Sequence, residues 1–407
     1  MAAATPSTTD SAGIYFNPWD ESFRANPYPH YQPLFAGPPR IINLVVDMAL
    51  VARYADVRAV LLDHANFSSA QLATSGFEEQ NNLFGHDPSM LVADPPVHTR
   101  LRRLVSRDFT PRRIRELEPR IREIAAQLVD TAQRKESLDV MADVANTLPV
   151  MVIAEMLGVP PEMYQTFKHW SDKIVEADNV LPGMPMPDDI KLAMSELRDF
   201  FSTQIEQRRG RPGPDLVSAL FAAHEQSEAL SAGELLAFVI LLLLAGNETT
   251  TNLIGNGTLA LGRHPAQMSL LRQKPELMPR AIDEMLRYDG PVQSTFRTAI
   301  CDTNVGGTDI KAGTGVFVMV AAANRDPAHF PDPDKFDITR DPNDHLAFGE
   351  GIHFCLGSGL ARVEGSIAIA TMLERFPGLR LANPEAPLKY KGSYFLRGLA
   401  QLEMAID

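Results

Sequence analysis

The chain has 407 residues, 45% of them apolar and 22% charged, enough for a large buried core and unlike a disordered or fibrous protein. A net charge of -13 excludes nucleic acid as the main partner, because phosphate binding needs a concentrated basic surface. Only two cysteines occur, Cys301 and Cys355, which excludes a disulfide framework and fits a reducing, cytoplasmic compartment.

Residues 1–14 are small and polar, lack the basic start and apolar run of a signal peptide, and read as a disordered tail. From 15 to 407 no repeat and no linker divides the chain, so one domain is expected. Two strand-like runs, 41–46 and 48–53, predict a hairpin turning at Asp47. Asp56 is placed to cap a helix through Leu62. Residues 66–96 are rich in Ser, Asn, Gly and Pro and predict a long functional or mobile loop. A helical pattern covers 97–132, interrupted at Thr110 and Pro111. Further helices are expected over 137–158, 161–178 and 187–209, with a loop at 181–187 and a break at 209–214.

Ser231 and Glu234 have capping-box spacing, in which hydroxyl and carboxylate satisfy each other's free N–H groups. The helix they open runs to Arg263, roughly 48 Å at 1.5 Å per residue, long enough to cross a domain. Its most apolar stretch, 238–245, is shorter than the ~20 residues a bilayer requires, so a buried helix is expected and no membrane span. Helices at 266–273 and 275–288 follow, then short strand-like runs such as 316–320, and a last helix over 357–375. The fold class is mainly α with a small β region.

The run Phe348-Gly349-Glu350-Gly351-Ile352-His353-Phe354-Cys355-Leu356-Gly357 stands apart. Its glycines permit tight turns and close backbone approach to a flat ligand. A helix begins just after Cys355, and its free N–H groups favour a thiolate. No second cysteine lies near enough for a zinc pair. In the long helix, Gly246, Glu248 and Thr249 interrupt an apolar run, where polar groups are costly unless hydrogen-bonded. Thr249 can bond back to a preceding carbonyl and bend the helix.

The pattern Phe-Gly-x-Gly-x-His-x-Cys-x-Gly resembles the haem-binding loop of the cytochrome P450 family. The resemblance extends from 94–103 to 391–398 and implies one domain with a long central helix over haem b. It implies that Cys355 is the axial thiolate, that Phe348 packs near the sulfur, and that Gly349, Gly357 and Ala245 approach the haem. His98, Arg102, Arg297 and His353 resemble its propionate ligands. Glu248 and Thr249 resemble its acid–alcohol pair, which handles distal oxygen and protons. Glu284 and Arg287 resemble its buried structural pair, completed by Lys335 or Arg340, with Arg340 favoured for its planar fork.

By the same resemblance, pocket walls are expected at Leu83, Phe84, Leu91, Val92, Leu241, Leu244, Val292, Thr295, Phe395 and Leu396. They imply a mainly apolar substrate: a fatty acid, terpenoid, steroid or macrolide. The implied activity is monooxygenation with O2 by a monomer, with electrons from a separate ferredoxin or flavodoxin and its reductase. Residues 100–122 hold nine arginines against Asp108, Glu116 and Glu118, a basic reversal suited to docking an acidic donor. A haem-binding sensor or lipid carrier without turnover, and a peroxide-driven peroxygenase, are the alternatives.

Overall fold

The computed structural model describes residues 17, 20–43, 47–70, 87–179, 185–208, 213, 215–222, 230–391 and 395–406. The expected tail, Leu83, Phe84 and part of the 181–187 loop lie outside the described residues.

Strands β1 (Arg40–Asn43) and β2 (Asp47–Val51) pair antiparallel with Asn43 opposite Asp47. The hairpin forms, but Asp47 belongs to its second strand and not to the turn. Met48 to Val51 are all buried, because β2 lies between two other strands with both faces covered. In α1 (Tyr54–Leu62) the N-cap is Arg53, and Asp56 pairs with Arg53 at 2.6 Å instead of capping. β3 (Phe67–Ser68) is the one strand at the start of the irregular region.

The helical pattern from residue 97 splits as expected into α2 (Val97–Val105) and α3 (Pro111–Ala132). Pro111 suits the first helical position, and the Thr110 hydroxyl accepts from Arg113 N at 3.4 Å. The single helix expected over 137–158 does not form. Its first residues make β4 (Ser137–Asp139), a π-helical turn follows at Met141–Ala145, and α4 (Leu148–Met156) begins only at Leu148. Leu138 pairs with Met404 of a distant strand, and the Asp139 carboxylate accepts from Met141 N at 3.0 Å, so the backbone there has other partners.

Of the remaining elements, those that frame the site are α5 (Tyr164–Val175), α6 (Asp188–Arg208), α7 (Ala232–Arg263), α8 (Met278–Asp289), β5 (Thr295–Ala299), β6 (Gly315–Val318), α9 (Ser358–Arg375), β7 (Arg380–Leu381) and β8 (Glu403–Ala405); the helix expected over 266–273 forms as Pro265–Gln273. The run at 316–320 ends as a strand at Val318, and Val320–Ala323 turns helical. The five-stranded sheet has the order β1-β2-β6-β5-β3, parallel only between β2 and β6; a three-stranded sheet has the order β4-β8-β7, and 303–305 and 308–310 pair as a separate hairpin.

Helix α7 carries the expected capping box and is apolar on every side. By length and composition it resembles a membrane span, but here α4, α5, α8 and α9 pack around it. The sheets and the other helices are arranged about this rod.

Behind it, Glu284 and Arg287 on α8 have fully buried side chains and share two hydrogen bonds of 2.7 and 2.9 Å. Arg287 also donates to the carbonyls of Asn324, Pro333 and Lys335. The side chain that completes the network is that of Arg340, 3.2 Å from Glu284, whereas the Lys335 ammonium turns to Asp337. Asp337 N donates to Glu284 Oε1 at 2.8 Å, so the carboxylate also orders the loop that leads to Cys355. Removing one partner of such a pair strands the other charge, at a cost of about 3–5 kcal/mol. Glu284→Ala is therefore expected to lose about that much unfolding free energy in urea; a loss under about 1 kcal/mol would show the pair to be dispensable.

Candidate active site

Helices α2, α7 and α9, strand β5 and the Cys355 loop enclose a cavity of about 310 Å³. The loop is folded by two left-handed glycines, Gly349 at φ +68° and Gly351 at φ +73°. A Cβ on Gly351 would lie 2.7 Å from Leu61 O, so this glycine also lets the loop rest on α1. Cys355 N donates to Phe348 O at 2.9 Å and closes the loop. Cys355, Phe348, Gly349, His353 and Gly357 all reach the cavity wall, and a Cβ on Gly357 would meet no atom within 4 Å.

The Cys355 thiol is pushed up by burial, against the N–H groups of Gly357 and Ser358 and the charges of Arg102 and Arg362. The helix end expected to favour a thiolate is present, yet burial outweighs it. A bound metal ion would reverse that balance, since it deprotonates a coordinating thiol.

Along one wall the structure collects basic groups for which, among the described residues, no direct ion pair is formed, although the charge of Asp94 reaches His98, Arg297 and His353. His98 on α2 and His353 on the loop have ring centroids 4.2 Å apart. Both nitrogens of His98 and Nε2 of His353 are buried and unpartnered. Burial, then the neighbouring Arg297 and His98, hold the His353 imidazole down to about 3. Burial also lowers Arg297 to about 10. Among the described residues the Arg297 guanidinium bonds only to Thr295 Oγ1 and Phe296 O, neither of them charged. Arg102 donates to Phe354 O at 2.6 Å. Orphaned buried donors demand an anion or water. A flat, iron-bearing ring with two carboxylates fits this donor set and the thiol, so the residues present fit haem.

On the opposite wall, Thr249 and Ala245 of α7 face the cavity. Thr249 Oγ1 donates to Ala245 O at 2.5 Å, one turn back. Glu248 does not line the cavity. One residue along a helix is a turn of about 100°, and its carboxylate points to Lys391, with Nζ contacts of 3.0 and 3.1 Å. Gly246 borders the cavity, but its main use is packing: a Cβ there would lie 2.6 Å from Ile153 Cδ1.

Of the expected pocket walls, Leu91, Leu241, Val292 and Thr295 line the cavity. Val92, Leu244, Phe395 and Leu396 do not line it. Leu244 lies on another side of α7 and packs among helices. The Phe395 ring lies 6.2 Å from that of Phe317, tilted by 37°, in the sheet cluster, and Leu396 is bridged to Val292 through backbone. Met90, Phe109, Ile153, Met156, Phe238 and Leu242 are further apolar walls that the sequence reading missed.

Glu364 was missed as well. It sits on α9, borders the cavity, and its Oε2 has no partner. Burial alone raises its carboxyl to about 8. A lone Glu among Val363, Gly365 and Ile367 was the available signal, but charged residues on helices are usually solvated.

The cytochrome P450 family model matches residues 40–391 of the chain. The chain is 42% identical to the cytochrome P450 monooxygenase PikC of Streptomyces venezuelae, covering 94% of this chain and 91% of that one. It is 41% identical to a vitamin D(3) 25-hydroxylase of Pseudonocardia autotrophica, covering 95% of each. Among solved structures, myxobacterial cytochrome P450 CYP267B1 in complex with myristic acid superposes with a TM-score of 0.88 at 37% identity, covering 96% of this chain and 98% of that one.

Glu364 gives a pH signature. Its folded carboxyl, at about 8, lies above the ordinary value of 4.5, so the folded state holds one extra proton between those values. Stability from this group is full below pH 4.5 and falls as pH rises toward about 8. Glu364→Gln is expected to remove up to about 1.4 kcal/mol per pH unit of that slope. Urea unfolding at about pH 5.5 and about pH 7.5 reads it; equal slopes in both proteins would show that the group does not titrate there.

Proposed function

The chain belongs to the cytochrome P450 family, and from that membership we propose a role for each group around the cavity. It is a haem–thiolate monooxygenase. Haem b, when bound, supplies O2 activation and the oxygen atom inserted into a C–H bond. The observation that carries the assignment of roles is the meeting of the Cys355 thiol, four basic side chains with no direct ion pair among the described residues and the Thr249 hydroxyl on one cavity.

Cys355 holds the iron, as a thiolate. His98, Arg102, Arg297 and His353 hold the propionates, whose charges supply the missing counter-ions. Phe348 and the backbone at Gly349 and Gly357 seat the ring. Thr249 donates its one proton to Ala245 O, so its oxygen is left to accept a hydrogen bond and thereby hold a proton-carrying water in the cavity. Glu248 lies one residue away in contact with Lys391, at the part-buried edge of the helix. It collects protons from outside and reaches the cavity only when that contact opens.

The apolar walls at Leu241, Leu242, Phe238 and Val292 select a mainly apolar molecule, excluding water and holding it by shape. A fatty acid, steroid, terpenoid or macrolide has that character. A vitamin D(3) hydroxylase and a myristic acid complex among the relatives support this range.

Electrons come from a separate acidic ferredoxin or flavodoxin. The basic face expected for it is narrower than the arginine count implied. Arg100 pairs with Glu234, Arg112 and Arg113 with Glu116, Arg120 with Glu123 and Glu155, and Arg122 with Glu118. Arg107 and Arg115 stay exposed beside them, and Phe354, next to Cys355, is 42% exposed. A cytoplasmic setting accords with two free cysteines.

Cys355→Ala is expected to abolish the red-shifted Soret band of the ferrous carbon monoxide complex; retention of that band would mean that another residue holds the iron. Thr249→Ala is expected to keep that band but to release peroxide, with the yield of oxygenated product per electron falling on the order of tenfold. An unchanged ratio of product to electrons would remove Thr249 from the proton route.

A further inference from the structure

Asp283 precedes Glu284 on α8 but serves a different network. Its Oδ1 accepts from Arg362 Nε at 2.8 Å and lies 3.2 Å from His345 Nε2. The three side chains come from α8, from α9 and from the loop before Cys355. Ala347 N donates to His345 Nδ1 at 3.2 Å, so that nitrogen is an acceptor and the ring proton sits on Nε2, toward Asp283. Burial would raise the Asp283 carboxyl, but hydrogen bonds from His345 and Arg362 outweigh it and keep the group below its usual range. The carboxylate is therefore ionised at neutral pH.

This anchor fixes a cation under the cavity floor. The Arg362 guanidinium carbon lies 4.4 Å from the Phe348 ring centroid, and the His345 ring is 5.9 Å from the same ring. Phe348 lines the cavity and accepts the Cys355 N–H through its carbonyl. Apart from Asp283, the only other hydrogen bond of Arg362 among the described residues is a 3.5 Å contact with Ser358 O in its own helix. Its side chain is 37% exposed, so without the carboxylate it is free to swing into water.

We propose that Asp283 is a positioning residue that holds Arg362 flat against Phe348 beneath the Cys355 loop, and that the cation so held sets the reduction potential of the haem–thiolate centre. The inference rests on Cys355 being the haem ligand. Reduction adds an electron to the centre, and a fixed cation stabilises the more negative state, which raises the potential. The aromatic plate keeps water from one face of the guanidinium, so its field is only partly screened.

The sign of one substitution separates positioning from plain charge. If Asp283 acted only as a negative charge, its loss would raise the potential. If it acts by holding Arg362, its loss lowers the potential, as loss of the arginine does. The test is spectroelectrochemical titration of the haem-loaded full chain, with the ferrous carbon monoxide spectrum checked for each protein. Arg362→Gln and Asp283→Ala are both expected to shift the potential to more negative values while keeping the red-shifted band. Arg362→Lys, which keeps the charge, shifts it less than Arg362→Gln. A positive or absent shift in Asp283→Ala, or no shift in Arg362→Gln, would overturn the inference. Should Asp283→Ala fail to load haem, the Gln and Lys variants at 362 still decide whether the cation matters. Absence of the red-shifted band in the unmodified protein would instead overturn the ligation on which the inference stands.

Discussion

A thiol and a cluster of basic side chains open on one cavity, and burial works against the charged form of each. It pushes Cys355 up and pulls His98, Arg102, Arg297 and His353 down. The protein alone does not balance these charges, since among the described residues no carboxylate pairs with Arg297 or with either imidazole. A group that brings a cation to the sulfur and two anions to the basic wall resolves both deficits together. On the proposed assignment, the same basic groups would orient haem through its two carboxylates.

Helix α7 must satisfy opposite demands along its length. Its apolar sides are needed to pack the surrounding helices, yet the turn over the cavity carries Asn247, Glu248 and Thr249. Each polar group is matched locally. Asn247 donates to Ser171 on α5, Glu248 meets Lys391, and Thr249 bonds back to Ala245. Of these three only Thr249 lines the cavity, with Thr250 beside it. The helix therefore separates a group that touches the reaction space from one turned away from it onto Lys391, within two residues.

Two adjacent carboxylates on α8 divide the support of the floor. Glu284 points into the core and orders the approach to the loop through Arg287, Arg340 and Asp337 N. Asp283 points toward the Cys355 side and gathers His345 and Arg362 around Phe348. Neighbouring residues on a helix face different ways, so one short segment braces the loop from two directions.

The sequence by itself determined the elements whose signals are local. The capping box at Ser231 and Glu234 placed the start of α7, Pro111 placed the start of α3, and the glycine spacing around Cys355 marked the loop. Local signals failed where distant chain competed for the backbone, as at Ser137–Asp139, which pairs with β8. Tertiary structure alone decided which charges are balanced. Five of the nine arginines between 100 and 122 are paired, and for Arg120 and Arg100 the partners include Glu155 and Glu234, far along the chain. Glu364 is kept from water by helices that the sequence does not place beside it. Hydrogen-bonding geometry within a turn is written in neighbouring residues, whereas desolvation and ion pairing depend on what the rest of the chain brings near.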